Sequence, residues 1–334
     1  MTESGSTAPP PAAGGGLTEG FAQDQPLTGA DAMIVCDRLV RIYSGDGIEV
    51  QALQGLDLLI AEGELTALIG AAGSGKSTLM NILAGLDAPT AGAVWVADNN
   101  LGAMSAKARL GYRRSTVGFI WQQTSRNLLP YLTARQNVVL PMRFTRLARR
   151  ERLRRASFLL DTLGIAYCAD RTPDRMSGGE QQRAAIAAAL ANEPRVLLAD
   201  EPTGELDSST AHEVFAALQT ANTELGVTVL VVTHDPAVST QVRRTIAIRD
   251  GRISSETIRR AATDEHGQTA LHAREYATLD RAGRIQLPRD TIRRLGMRDR
   301  VQLQEEPDHI GVWPDQAPDQ EEEPPPSGSA SSPK

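Results

Sequence analysis

Cysteine is nearly missing from this chain: Cys36 and Cys168 are the only two in 334 residues, and they show no CxxC or Cys/His spacing. That excludes a disulfide framework and a zinc site, and leaves both as ordinary buried thiols. Long hydrophobic runs are missing too. The longest, such as Val227 to Val232, fall far short of the roughly 20 residues needed to span a bilayer. The N-terminus has no basic region followed by an apolar core. A membrane channel is therefore excluded. There is no basic excess either, and a net charge of −6 argues against a protein whose main task is coating nucleic acid.

With 41% hydrophobic residues the chain can bury a large core. Residues 1–31 are rich in Pro, Gly, Ser and Thr, a composition that cannot repay its ordering entropy, and are expected to be a disordered tail. From 32 to 255, short β-branched runs alternate with longer amphipathic segments. This is the pattern of an α/β domain with a mostly parallel sheet and crossover helices. The polar stretch 256–272 reads as a linker, and 273–314 as a second, small compact module. The acidic, Pro-rich residues 315–334 read as a second disordered tail.

Glu64 to Ile69 reads as a buried strand, followed by Gly70, Ala71, Ala72, Gly73, Ser74, Gly75, Lys76, Ser77 and Thr78, which open a helix with Leu79, Ile82, Leu83 and Leu86 on one face. This GxxxxGK[ST] string in a strand–loop–helix context is a phosphate loop. Its glycines let backbone N–H groups curl around a β-phosphate, and the helix N-terminus adds its positive end. Lys76 is placed to reach the β- and γ-phosphates, and the Ser77 hydroxyl to ligate Mg²⁺. The loop alone does not choose among kinases, GTPases, helicases and transporters.

A second buried strand, Arg195 to Asp200, ends in a carboxylate and is followed at once by Glu201. Asp200 is placed to hold Mg²⁺ through water, and Glu201 to orient or polarise the attacking water. Upstream lies Met176-Ser-Gly-Gly-Glu-Gln-Gln-Arg183, leading into an Ala-rich helix. Ser177 with the amides of Gly178 and Gly179, beside Glu180, makes either a second anion cradle or a simple helix cap.

At these residues the chain resembles the ABC transporter ATPase family, whose signature reads LSGGQ or LSGGE just before the second acidic strand. The resemblance implies a P-loop ATPase domain with an antiparallel β subdomain and a helical subdomain, here at about 124–180. It also implies an enzyme that hydrolyses ATP with Mg²⁺. In the family, the signature of one subunit closes over the ATP held by the P-loop of another, so a homodimer with composite sites is expected. Other positions carry over residue by residue. Tyr43 matches the aromatic that stacks on adenine, and Gln122, adjoining Gln123, the glutamine that senses Mg²⁺ and water. His234 matches the switch histidine at the γ-phosphate, and Asp207 the loop through which subunits meet. Glu201, His234, Lys76 and Gln122 would be catalytic, with Ser77, Gln122 and Asp200 around the metal.

Within the family, Asp200 to Asp207 and Ser177 to Arg183 look like the branch serving lipoprotein release, macrolide export and cell-division permeases. This implies a separately encoded integral membrane permease as partner and a cytoplasmic location on the inner face of the membrane. Met176, Glu205 and Ala188 depart from the usual residues, and Gln123 to Pro130 carries two extra ones in a segment that faces the permease. The basic stretch Arg143 to Arg155 reads as a solvated helix face or as a neighbour of anionic headgroups.

In the small module, Tyr276 to Pro288 suggests a hairpin turning at Arg281 to Gly283, then a short helix from Arg289 to Leu295 and two strands. The string resembles AbrB-type swapped-hairpin domains, which interlock two chains. The resemblance implies dimerisation or regulation, or alternatively DNA binding, which would make the chain a soluble ABC ATPase with a transcription-linked role; an unrelated small β-rich appendage is the remaining reading. Residues 274–313 hold 8 Arg against 7 Asp plus Glu, which leaves almost no basic excess for phosphates.

Overall fold

The protein is described by a computed structural model over residues 32–45, 47–234, 238, 240–263, 269–280 and 282–315. The tails expected at 1–31 and beyond 315 lie outside these residues. The described chain divides into two compact units, Met1–Gln286 and Leu287–Lys334.

The first unit is built on two sheets. One is antiparallel, with strand order β2-β1-β4-β5, from β1 (Ala32–Gly45), β2 (Ile48–Ala61), β4 (Ala91–Val96) and β5 (Asn99–Asn100). The other has seven strands. Its parallel part contains β3 (Leu65–Ile69), β6 (Val117–Ile120), β7 (Val196–Asp200), β8 (Thr228–Val232) and β9 (Arg244–Arg249) in the order β9-β3-β8-β7-β6.

The parallel strands read as continuous apolar runs because both faces are covered. In β8, Val229 and Val231 point into one core while Leu230 and Val232 point into the other. The first core is closed by α3 (Ala134–Met142), α4 (Arg149–Thr162), α5 (Gly178–Ala189) and α6 (Ser208–Leu225). The second is closed by α1 (Lys76–Leu83), α2 (Ala106–Ser115) and the antiparallel sheet. The expected α/β domain with a β subdomain and a helical region is thus present. Both cysteines are buried and free.

The expected linker at 256–272 is corrected. The segment carries strands β10 (Arg252–Thr263) and β11 (Thr269–Ala277), which extend the seven-stranded sheet in antiparallel fashion beyond β9. Polar composition misled here because an edge hairpin is held by its ladder and by ion pairs such as Arg244 with Glu256, without an apolar run. The expected turn is present, with Gly283 N–H donating to Asp280 O and Asp280 N–H to Arg284 O, both at 2.9 Å. It belongs to the first unit, so the small unit starts at Leu287 and not at 273.

That small unit has a helix α7 (Arg289–Arg294), a left-handed Gly296 after it (φ 65°), and the antiparallel pair β12 (Val301–Glu305) and β13 (Ile310–Pro314). Met297 is the one buried apolar side chain among its described residues, while Leu303, Ile310 and Trp313 are 66%, 65% and 54% exposed.

Candidate active site

The C-terminal ends of β3, β6, β7 and β8 lie side by side, which is where open α/β sheets place their ligands. After β3 the chain turns through residues 70–75 into α1. Gly75 has φ 105°, and a Cβ there would stand 2.6 Å from Ala52 O and 2.9 Å from Leu53 Cδ2. Only glycine fits on both counts. Lys76 is 9% exposed, and its Nζ donates to Gly70 O at 2.7 Å and to Ala71 O at 2.8 Å. A nearly buried ammonium with carbonyl partners and no ion-paired carboxylate is a charge set out for an anion. Ala71, Ala72, Gly73 and Ser77 are exposed around it, with Thr78 half-buried behind.

Asp200 ends β7 and has its acidity weakened by burial first and by the neighbouring Glu201 second, with Lys76 acting in the opposite sense. A folded-state pKa raised in this way means that the native state resists ionising the group. Its contribution to stability is greatest below the unfolded carboxylate range and falls as pH rises through the folded value. Asp200→Asn is therefore expected to raise the melting temperature of the nucleotide-free protein at neutral pH and to leave it nearly unchanged at pH 3; equal shifts at both would contradict this.

Glu201 adopts φ 46°, a left-handed conformation that is rare outside glycine, held by its N–H donating to Val232 O at 2.9 Å. Its Oε2 accepts from Gln122 Nε2 at 3.2 Å and lies 3.1 Å from His234 Nδ1. Two residues from neighbouring strand ends thus converge on one carboxylate oxygen of Glu201. It is Gln122, and not its neighbour Gln123, whose side chain reaches Glu201.

Ser177 is the N-cap of α5. Its Oγ accepts from Glu180 N at 3.2 Å, and Glu180 Oε2 accepts from Ser177 N at 2.7 Å, a reciprocal capping box. The bond from the Ser177 amide is the main reason Glu180 is more acidic than usual. Among the described residues no hydrogen bond or ion pair joins 177–180 to residues 70–78. The following glycine, Gly179, packs on the start of α6, where a Cβ would meet Thr210 Cγ2 at 2.4 Å. Gly179→Ala should cost about 1–3 kcal/mol through this overlap, read as a lower urea midpoint.

The sequence family described as ABC transporter matches residues 53–204. A solved dimeric post-hydrolysis state of the ATP-binding cassette MJ0796, bound to ADP and Pi, superposes with TM-score 0.61 and 38% identity, over 67% of this chain and 97% of that one. The chain belongs to the ABC transporter family. Macrolide export ATP-binding/permease proteins MacB are also similar. The one from Rhodospirillum rubrum is 44% identical over 223 residues, 67% of this chain and 34% of its own length. That from Shigella flexneri is 47% identical over 213 residues, 64% of this chain and 32% of its own length. The chain thus spans about a third of the length of these relatives.

In this ABC ATPase domain Tyr43 is not free-standing. Its hydroxyl donates to Asp87 Oδ2 at 2.8 Å, and the Arg41 guanidinium lies 4.3 Å from its ring centroid while forming a two-pronged pair with the same Asp87 at 2.8 and 2.9 Å. Asp207 caps α6, accepting from the amides of Ser209 and Thr210 at 3.0 Å and from both hydroxyls. Those bonds hold its carboxyl well below the usual range.

Sequence reasoning missed Arg41 and Asp87, which stand 46 residues apart, and Asn127. Asn127 holds the backbone immediately before Gln122 by accepting from Trp121 N and donating to Trp121 O, both at 2.8 Å. The unusual length of the 123–130 segment was the one available signal.

Proposed function

We propose that this chain binds MgATP and hydrolyses it within a homodimer, each ATP lying between the P-loop of one copy and Ser177 to Glu180 of the other. The observation that carries this reading is the convergence of Gln122 and His234 on Glu201, beside a loop whose buried lysine forms no ion pair among the described residues. Glu201 would hold the attacking water in line, His234 would meet the γ-phosphate, and Tyr43 would lie under adenine.

Asp200, whose ionisation is disfavoured by burial and by Glu201, and the Ser77 hydroxyl are hard-oxygen donors of the kind Mg²⁺ takes, and with Gln122 they would hold the ion. Bound there, the cation would neutralise charge on the β- and γ-phosphates. The lack of a cluster of three or more His, Cys, Asp or Glu among the described residues fits a metal that takes its other ligands from nucleotide and water.

ATP-driven closure would then move an integral membrane permease of the export or mechanotransmission type, with this chain on the inner face of the membrane. Among the described residues no helix is long and apolar enough to cross a membrane. A groove of about 460 Å³, lined by Trp121, Arg126, Phe144, Ala185 and Ala189, supports a docking place for a permease segment adjoining Gln122. The tagged chain, purified from detergent-solubilised membranes, should bring down one integral membrane protein, and Trp121→Asp should lose it. Recovery of no membrane protein would sink the transport reading.

For the small C-terminal unit we favour pairing of two copies over DNA binding, although the hairpin that carries the AbrB resemblance, Tyr276 to Pro288, falls almost wholly in the first unit. A two-stranded sheet leaving Leu303, Ile310 and Trp313 exposed cannot stand as its own core. The full chain without nucleotide should sediment as a dimer and Leu303→Ser/Trp313→Ser as a monomer. A wild-type monomer would refute the pairing.

A further inference from the structure

We propose that the outer face of α4, with the turn before it, is a binding surface for anionic lipid bilayers. Residues 143–155 hold seven arginines and one acid, Glu151, in a chain of net charge −6. Glu151 is already engaged, accepting the Ala148 N–H at 3.1 Å at the start of α4. Arg155 is engaged too, with Glu193 at 2.7 Å and with the carbonyls of Leu190 and Ala191. Arg146, Arg149, Arg150 and Arg154 are exposed, and among the described residues their guanidinium groups have no hydrogen-bond or ion-pair partner.

Apolar side chains are interleaved with these charges. Leu147 and Leu153 are each 38% exposed and Phe158 is 50% exposed. Arg150, Leu153, Arg154 and Phe158 fall at i, i+3, i+4 and i+8, one face of the helix. The opposite face, with Ala156, Leu159 and Leu160, is fully buried in the helical core. The turn is also fixed, since the Thr145 hydroxyl donates to Met142 O at 2.7 Å and accepts from Leu147 N at 3.3 Å. Little ordering cost therefore opposes binding.

Unpaired arginines call for an anionic partner, and exposed leucine and phenylalanine call for an apolar medium. A bilayer interface rich in anionic headgroups supplies both at once. A nucleic-acid backbone would satisfy the arginines and leave the leucines in water. The surface shares no residue with the ATP site, and the inference does not depend on the transport reading.

The test is co-sedimentation of the full chain, without permease, with vesicles of phosphatidylcholine alone and of phosphatidylcholine mixed with phosphatidylglycerol. Binding is expected to the mixed vesicles only and to weaken with salt. Arg149→Gln/Arg150→Gln/Arg154→Gln should lose about fivefold per arginine, on the order of 100-fold together, with ATPase activity unchanged. Phe158→Ser should weaken binding at every salt concentration. An equal change of charge elsewhere, Arg293→Gln/Arg294→Gln/Arg298→Gln, should leave binding intact. The proposal is overturned by no binding to the mixed vesicles, by equal binding to phosphatidylcholine, by equal loss in the two triple variants, or by retention of duplex DNA that the first triple variant abolishes.

Discussion

Glu201→Gln should lower ATP turnover by about 100-fold or more while ATP stays bound. The amide is nearly isosteric and keeps an oxygen for Gln122 or His234, so the geometry around the strand ends should survive. What is lost is the negative charge that, on the proposed reading, would orient and polarise water. With hydrolysis blocked, the ATP-closed state cannot reset and accumulates. Glu205→Gln, on an exposed side chain four residues on, should leave the rate unchanged. If Glu201→Gln kept the full rate, the hydrolytic assignment would fail.

Lys76→Ala should abolish turnover by a different route, through loss of nucleotide binding. In the nucleotide-free chain the ammonium is nearly buried against the Gly70 and Ala71 carbonyls, so removing it exchanges a desolvated charge for two lost hydrogen bonds. Fold stability should change little. On the proposed reading its worth would appear when phosphate oxygens replaced the carbonyls, in a charge-assisted contact that would strengthen as the γ-phosphate left. ATP at 100 times its wild-type Kd should raise wild-type stability by about 2.7 kcal/mol, seen as a higher melting temperature, and should leave Lys76→Ala unmoved. The two variants thus separate: Glu201→Gln keeps the ATP-induced shift and Lys76→Ala loses it.

Much of the site could be read from sequence because its parts are local. The P-loop lies between a strand and a helix within one short string, and Asp200 with Glu201 ends an apolar strand. The capping box is written in Ser177-x-x-Glu180. What stayed hidden depends on distant pairing. Nothing in the sequence ties Arg41, on β1, to Asp87, beyond α1, and nothing tells Gln122 from Gln123 until the ends of β6 and β7 are set side by side. The linker was misread for a related reason. The edge strand β10 is stabilised by its ladder with β9, while its side chains are mostly polar or small, so the cue of composition points the wrong way. The domain boundary moved with it, from 273 to Leu287.

The central claim is that each ATP site is shared between two copies, and mixing two inactive variants tests it most directly. Lys76→Ala copies keep an intact signature, and Ser177→Arg copies keep an intact P-loop. Ser177 is exposed, so arginine is accommodated at the cost of one helix cap, about 1 kcal/mol. Each variant alone should be inactive, and the mixture should recover ATPase activity because a mixed dimer contains one complete site. A mixture as inactive as its components, in a sample shown to contain mixed dimers, would contradict the shared site.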